Sequence, residues 1–158
     1  MLGRTYEAQD CSVARALEVV GERWSLLIIR DALFAGSTRF RDFQRALGVA
    51  SNVLSARLEG FVQAGLMERR PEEGHDAYVL TAKGRDLQPV VMALADWGDK
   101  WAAPYGPPVA FEHADCGGGA RQETYCAVCA EDLGPGDVVA VRRAGPGTAG
   151  PAGRRAAE

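Results

Sequence analysis

The side chains in this 158-residue chain best suited to metal or redox chemistry are four cysteines and two histidines, and four of those six fall between residues 113 and 129. His113-Ala-Asp-Cys116-Gly and Cys126-Ala-Val-Cys129 each set two ligands apart by two residues, with nine residues between the pairs. One imidazole and three thiolates form the closed tetrahedral set that structural Zn²⁺ prefers. The expectation is one structural zinc per chain, held by His113, Cys116, Cys126 and Cys129. Glycine after Cys116 suits a tight turn, and so short a segment has little core, so a metal could be what folds it. The alternatives are a tail with incidental thiols or a disulfide within the second pair. A thioredoxin-like enzyme is a poor reading, because no βαβ unit surrounds the motif. Cys11 stands apart, just before a helix start, where free N–H groups favour a thiolate and suit redox sensing. Its alternative is a small half-buried residue with no chemistry.

A second set of residues suits duplex DNA. Asn52 has the donor–acceptor pair that fits an adenine edge, and Ser55 can donate or accept at any base. Ser51, at a helix start, suits a phosphate oxygen. Arg39, Arg41, Arg69 and Arg70 flank them at places where phosphate contacts set register without reading bases. Arg57 joins this set, although it lies toward the edge of an apolar stripe, where internal pairing is the competing role. For any single polar residue the alternative is a merely solvated surface.

The elements that position these groups follow from hydrophobic periodicity. A helix begins at Ser12, capped by Asp10 or Ser12, with Val13, Leu17 and Val20 on one stripe. A second helix, about 23–34, is apolar nearly all round over Leu26-Leu27-Ile28-Ile29 and should be central. Gly36 and an extended Ser37-Thr38 lead to a third helix at about 39–47, closed by Gly48. Ser51 caps a fourth at about 52–64, whose Leu54, Leu58 and Phe61 face inward and leave Asn52, Ser55, Ala56, Glu59 and Gln63 outward. Strands at 66–70 and 76–81 flank a turn at 71–75. Thr81 caps a long last helix to about Trp101, started or kinked by Pro89. The prolines at 104, 107 and 108 mark a boundary. Strand-like stretches follow at 121–125 and 137–142, and a Gly/Pro/Ala-rich tail from 144 is expected to be disordered.

This order is the plan of a winged helix, with the fourth helix as reader. The formal net charge of −3 does not advertise a nucleic-acid binder. Locally, however, residues 39–70 carry six basic and three acidic side chains, and phosphate responds to the local field. Glu72, Glu73 and Asp76 would repel phosphate at the hairpin tip, where His75 is the one cation, so the basic foot of the wing is the expected contact. Leu87, Val90, Leu94, Trp97 and Trp101 form a longer apolar stripe than so small a domain needs, which points to a dimer interface. The alternative is that the tryptophans close the monomer core. No apolar run nears the roughly 18 residues of a membrane span and no signal-peptide pattern is present, so a cytoplasmic, nucleoid-associated protein is expected.

The run Cys11-Ser-Val-Ala-Arg-Ala-Leu-Glu-Val-Val-Gly-Glu-Arg-Trp24, then Gly36-Ser-Thr-Arg-Phe40 and Val53-Leu-Ser-Ala-Arg-Leu58, resembles the HxlR-type, MarR-like winged helix-turn-helix regulators. Ala64-Gly-Leu66, Tyr78-Val-Leu-Thr-Ala-Lys-Gly84 and Trp97-Gly98 continue the resemblance in order, so it covers roughly 11–105. Ser12 departs from the family's usual proline and Glu22 from its frequent glycine. The resemblance implies a dimeric bacterial repressor or activator whose first and last helices form the interface. It also implies that Cys11 occupies a place where some relatives sense electrophiles or oxidants.

The expected fold is mainly α (α+β): a winged helix-turn-helix with a two-stranded wing and a long C-terminal dimerisation helix, followed by a small Cys-rich, zinc-ribbon-like tail. The expected domains are an arm at 1–10, the winged helix at 11–108, a zinc-knuckle segment at 109–143 and a tail at 144–158. The expected function is sequence-specific binding of double-stranded DNA by a homodimer on an inverted repeat, chiefly as a repressor modulated by a small-molecule effector near Trp24 and Trp97. A redox- or metal-responsive sensor with DNA binding as output is the alternative. A thiol redox enzyme lacks a cofactor fingerprint and any defensible Ser/His/Asp set.

Overall fold

Three apolar residues spaced i, i+4, i+7 decide the centre of the structure. Leu54, Leu58 and Phe61 are fully buried and pack with Ile28, Ile29, Phe43, Leu66, Met67 and Val91. The computed structural model describes residues 5–7, 9–72 and 74–141. The element order is α1 (Ser12–Val20), α2 (Ser25–Phe34), α3 (Phe40–Leu47), α4 (Ser51–Gln63), β1 (Met67–Glu72), β2 (His75–Leu80), α5 (Ala82–Arg85) and α6 (Gln88–Trp101). This mixed helical and hairpin arrangement is a winged helix-turn-helix. As its apolar run suggests, α2 sits centrally, packing against α3, α6 and β2.

The hairpin is tighter than the sequence suggests. β1 and β2 pair antiparallel out to Pro71↔Asp76 and Glu72↔His75, and Gly74 turns the chain with φ of 77°. Pro71 is compatible with a two-stranded ladder because one side of an edge strand needs no N–H donor. The link before α3 joins this sheet. The Tyr78 N–H donates to the Thr38 carbonyl at 2.7 Å, and Arg39 bridges Ala77. Glu73 of the expected turn lies outside the described residues.

Helix ends depart from expectation in three places. At α1 the N-cap position is Cys11, and neither Asp10 nor Ser12 caps by side chain; at α4 it is Ala50, leaving Ser51 as the first helical residue. The long last helix is two helices. The Thr81 hydroxyl accepts the Gly84 N–H at 3.2 Å and starts only the short α5. The chain then turns at Asp86–Leu87 before Pro89 opens α6, where a missing N–H costs nothing. Gly84 allows α5 to back closely on the start of the wing, where a Cβ would run into the Leu66 carbonyl oxygen. The Thr81 hydroxyl also donates to the Gly65 carbonyl at 2.7 Å, and the Lys83 ammonium donates to that of Ala64, also at 2.7 Å. The Thr-Ala-Lys-Gly run therefore closes the end of α4 and the start of the wing.

By Cα proximity the chain divides into two compact units, 1–122 and 123–158, each taken by itself. In the first, beyond α6, the Phe111 ring lies 4.8 Å from that of Phe34. The expected strands at 121–125 and 137–142 are absent as ladders among the described residues; only single bridges form, Glu112↔Gly119 and Tyr125↔Asp132. The first stretch runs into the loop that folds back from Tyr125 to Asp132, which leaves it a single bridge. Arg142 and the tail from 144 lie outside the described residues.

Candidate nucleic-acid interface

With Leu54, Leu58 and Phe61 turned inward, α4 presents Ser51, Asn52, Ser55, Ala56 and Glu59 to solvent, as the helical period requires. The first turn of this face is small and polar, so its backbone and short side chains are open to close approach by a partner. None of these residues packs against a neighbouring element strongly enough to be buried.

The arginines around α4 have distinct surroundings. Arg41 is exposed on α3 and makes no ion pair among the described residues, whereas Arg39 lies 3.8 Å from Glu72. Both line a surface hollow of about 410 Å³ between α3 and the wing, with Arg45, Asp42, His75 and Asp76. Arg69, at the wing's foot, is held by Glu59 at 2.9 Å, by Asp76 at 3.6 Å and over the Tyr78 ring at 5.5 Å. Arg70 pairs with Glu68. Arg57 is half-buried and points to Glu22 at 2.9 Å, the internal pairing weighed against a DNA role. At the tip, the His75 Nε2 lies 2.8 Å from the Glu72 carboxylate. The tethers on Arg69 are not apparent from spacing, because Glu59 and Arg69 meet across a chain reversal.

The stripe on α6 faces out of the monomer. Val90, Leu94, Trp97 and Trp101 are 48%, 52%, 60% and 68% exposed, while Val91 and Met92 form the inward face. The tryptophans therefore do not close the monomer core. On α1, Val13 and Leu17 are likewise exposed; Ala14 and Val20 are the buried pair. The stripe through Val13 and Leu17 is thus a surface feature and not a core one. Leu87 is half-buried between the two environments. Trp24 is half-buried with the Arg23 guanidinium 5.4 Å above its ring. Neither Trp24 nor Trp97 lines the cavities of about 570, 430 and 420 Å³ in the first unit.

Cys11, Cys116, Cys126 and Cys129 are all free thiols, Cys126 half-buried and the others exposed. His113 Nδ1 and Cys116 Sγ come within 3.2 Å. Cys126 and Cys129 also meet, and the Cys126 thiol is pushed below its ordinary pKa, chiefly by the backbone N–H of Cys129, then that of Val128 and the Cys129 side chain. Among the described residues no three His, Cys, Asp or Glu side chains stand together as one metal-binding group. No helix among them is long and apolar enough to cross a membrane.

An outward polar helix beside a basic-footed hairpin defines a helix-turn-helix transcriptional regulator. Residues 19–105 match the HxlR-like helix-turn-helix family, and the chain belongs to it. It is 44% identical over 127 residues to the uncharacterized HTH-type transcriptional regulator Rv3095 of Mycobacterium tuberculosis, spanning 77% of this chain and 79% of that one. The crystal structure of PA1607, a candidate transcription factor, superimposes with a TM-score of 0.78 at 39% identity, covering 87% of this chain and 99% of that one. The redox regulator HypR in its reduced form gives a TM-score of 0.52 at 26% identity, covering 57% of this chain and 92% of that one. These matched proteins are regulators, not enzymes.

Proposed function

We propose that the chain binds duplex DNA sequence-specifically as a homodimer on an inverted-repeat operator, with α4 in the major groove. One observation carries this reading: the exposed Ser51, Asn52 and Ser55 face lies directly opposite the fully buried Leu54, Leu58 and Phe61. A helix locked on one side and bare on the other can enter a groove without repacking. Arg41 and the foot arginines, Arg69 and Arg70, would meet phosphates on either side. The exposed α6 stripe, with Val13 and Leu17 on α1, supports dimerisation, since a C2 pair buries the same patch on both copies. Two α4 helices would then sit about 34–36 Å apart, one DNA turn.

Genome-wide mapping of binding sites followed by footprinting tests the reading. Paired half-sites about 10 bp apart, centre to centre, support it; a single unpaired half-site overturns the dimer, and no site-specific enrichment overturns the whole. Reduced reporter output in the presence of the protein supports repression, and the genes found would point to the class of effector.

A second reading makes Cys11 an input. It is exposed at the N-cap position of α1, next to the exposed Val13 and Leu17, and a redox regulator is among the matched structures. A thiol modified there would alter the surface we assign to the dimer. Operator binding that survives diamide unchanged would remove this role.

A further inference from the structure

The two Cys/His motifs have the same backbone fold. In each, the first ligand's N–H donates to the carbonyl five residues on: His113 to Gly118 at 2.7 Å, Cys126 to Glu131 at 2.8 Å. In each, that ligand's carbonyl accepts the N–H four residues on, from Gly117 and from Ala130, both at 2.8 Å. A third bond closes each loop, from Ala120 to Phe111 and from Leu133 to Thr124, again both at 2.8 Å. The residues flanking each loop form a single bridge, Glu112↔Gly119 and Tyr125↔Asp132. The residue after each second ligand is left-handed, Gly117 at φ 69° and Ala130 at φ 57°. Ala130 is the one non-glycine residue at positive φ among those described, a conformation that an L side chain adopts at a cost. The same turn is thus built twice, the second time with an alanine where the conformation favours glycine.

We propose that His113, Cys116, Cys126 and Cys129 hold one structural Zn²⁺ per chain, each loop acting as a two-ligand knuckle. Two further observations favour this. From residue 109 to 141 no side chain is buried, and Val109, Tyr125, Val128, Val138, Val139 and Val141 are exposed. A chain segment ordered without an apolar core calls for another source of folding energy, and a metal supplies it in small domains. The His113 ring also turns Nδ1 to the Cys116 thiol and Nε2 toward the Asp115 carboxylate, 3.7 Å away. At that distance the carboxylate is beyond hydrogen-bond range, but it lies on the side of the ring where a ligating imidazole takes its orienting partner.

Three thiolates and one imidazole select zinc over the oxygen-seeking Mg²⁺ and Ca²⁺. Four ligands leave no open position, so the ion is structural and not catalytic. Closure of the two pairs on the ion would couple metal uptake to folding of the segment. The alignment with PA1607 covers 87% of this chain. Residues 1–108 are only about two thirds of it, so the match enters the knuckle segment. The proposal stands independently of the DNA-binding reading.

Elemental analysis of the full chain, purified reduced and without chelator, tests it. About one zinc per chain is expected, falling to background in Cys116→Ser and in Cys126→Ser. Because those variants could fail to fold, Co²⁺ is titrated into the reduced, metal-stripped native chain. A 1:1 endpoint with tetrahedral d–d bands and thiolate charge transfer supports the site, and His113→Cys should retain the endpoint with stronger charge transfer. Well under one zinc together with no thiolate–cobalt bands overturns the proposal. So does zinc that persists in both serine variants, or an endpoint at half or twice the chain concentration.

Discussion

The guanidinium of Arg69, on β1, lies 2.9 Å from the carboxylate of Glu59, on the outward face of α4. This pair ties the foot of the wing to the proposed reading helix and neutralises an arginine that the proposed DNA-binding mode sets against phosphate. Both partners are substantially exposed, so the pair is worth at most about 1 kcal/mol. DNA can therefore compete for Arg69. Glu59→Gln should tighten binding to operator and random duplex alike, on the order of 2- to 5-fold given that pair energy. Arg69→Ala should weaken both alike and lower the salt slope by about one. Fluorescence anisotropy over a salt series reads both effects. If Glu59→Gln weakened binding uniformly, the carboxylate would be aiming Arg69 and not competing for it.

Asn52 has the opposite signature. It is exposed in the first turn of α4 and makes no described hydrogen bond, so its amide is available to a base edge. Asn52→Ala should cost about 1–3 kcal/mol at one operator position and leave random-duplex affinity nearly unchanged. A systematic base-substitution series on the operator distinguishes this from the uniform loss expected at Arg69. Equal losses on every sequence would make Asn52 a backbone contact.

Local periodicity made much of this legible. Leu54, Leu58 and Phe61 share a face because a helix repeats every 3.6 residues, and that alone turns Asn52 and Ser55 outward. Periodicity does not say what an apolar face meets: Val13, Leu17 and Val20 share one stripe, yet Val20 is buried and the other two are exposed. The break between α5 and α6 falls just ahead of Pro89, which signals it, whereas the close approach of Gly84 to Leu66 is a tertiary distance with no sequence signal. Glu59 and Arg69 meet only because the chain reverses between them. The paired Cys/His spacing of the proposed knuckles is visible in one dimension, but the left-handed Ala130 is not, since alanine carries no mark of that conformation.

Gly84 should be the least replaceable residue of the Thr81–Gly84 corner. A methyl group there meets the Leu66 carbonyl oxygen, backbone that cannot swing aside. Gly84→Ala should cost about 1–3 kcal/mol or more, the range for overpacking. Thr81→Ala removes the cap on Gly84 and the hydroxyl's bond to the Gly65 carbonyl and should cost about 1–2 kcal/mol. Urea denaturation with unchanged m-values would rank the two, and a reversed order would contradict the close approach.

Trp97 and Trp101 are exposed in the monomer, so a charge there should leave the monomer fold intact and act on association alone. Trp97→Glu with Trp101→Glu should shift light-scattering mass from dimer to monomer. Operator affinity should fall on the order of 100-fold as the avidity of two half-sites is lost. Thermal unfolding of the monomer should move by no more than about 0.5 kcal/mol, as for ordinary surface substitutions. Val91, on the inward face of the same helix, supplies the contrast, since Val91→Ala should lower stability while leaving association in place. If the tryptophan variants unfolded instead, the stripe would belong to the monomer's own packing.

Ala130 offers a test of the proposed zinc knuckle that leaves every ligand in place. Its left-handed conformation costs an L residue about 1–2 kcal/mol, whereas the matching position in the first loop is Gly117. Ala130→Gly removes that cost but adds unfolded-chain entropy of about 0.5–1 kcal/mol. The balance is a modest gain for the folded loop. Zinc transfer from the variant to a chromogenic chelator should therefore be slower than from the native chain. Ala130→Val puts a β-branched side chain where φ is positive, the least tolerated case, so transfer should be faster. Because metal binding and folding of so short a segment are one equilibrium, the order Gly, Ala, Val in zinc retention would tie the strained turn to the ion. The same rate in all three would separate them.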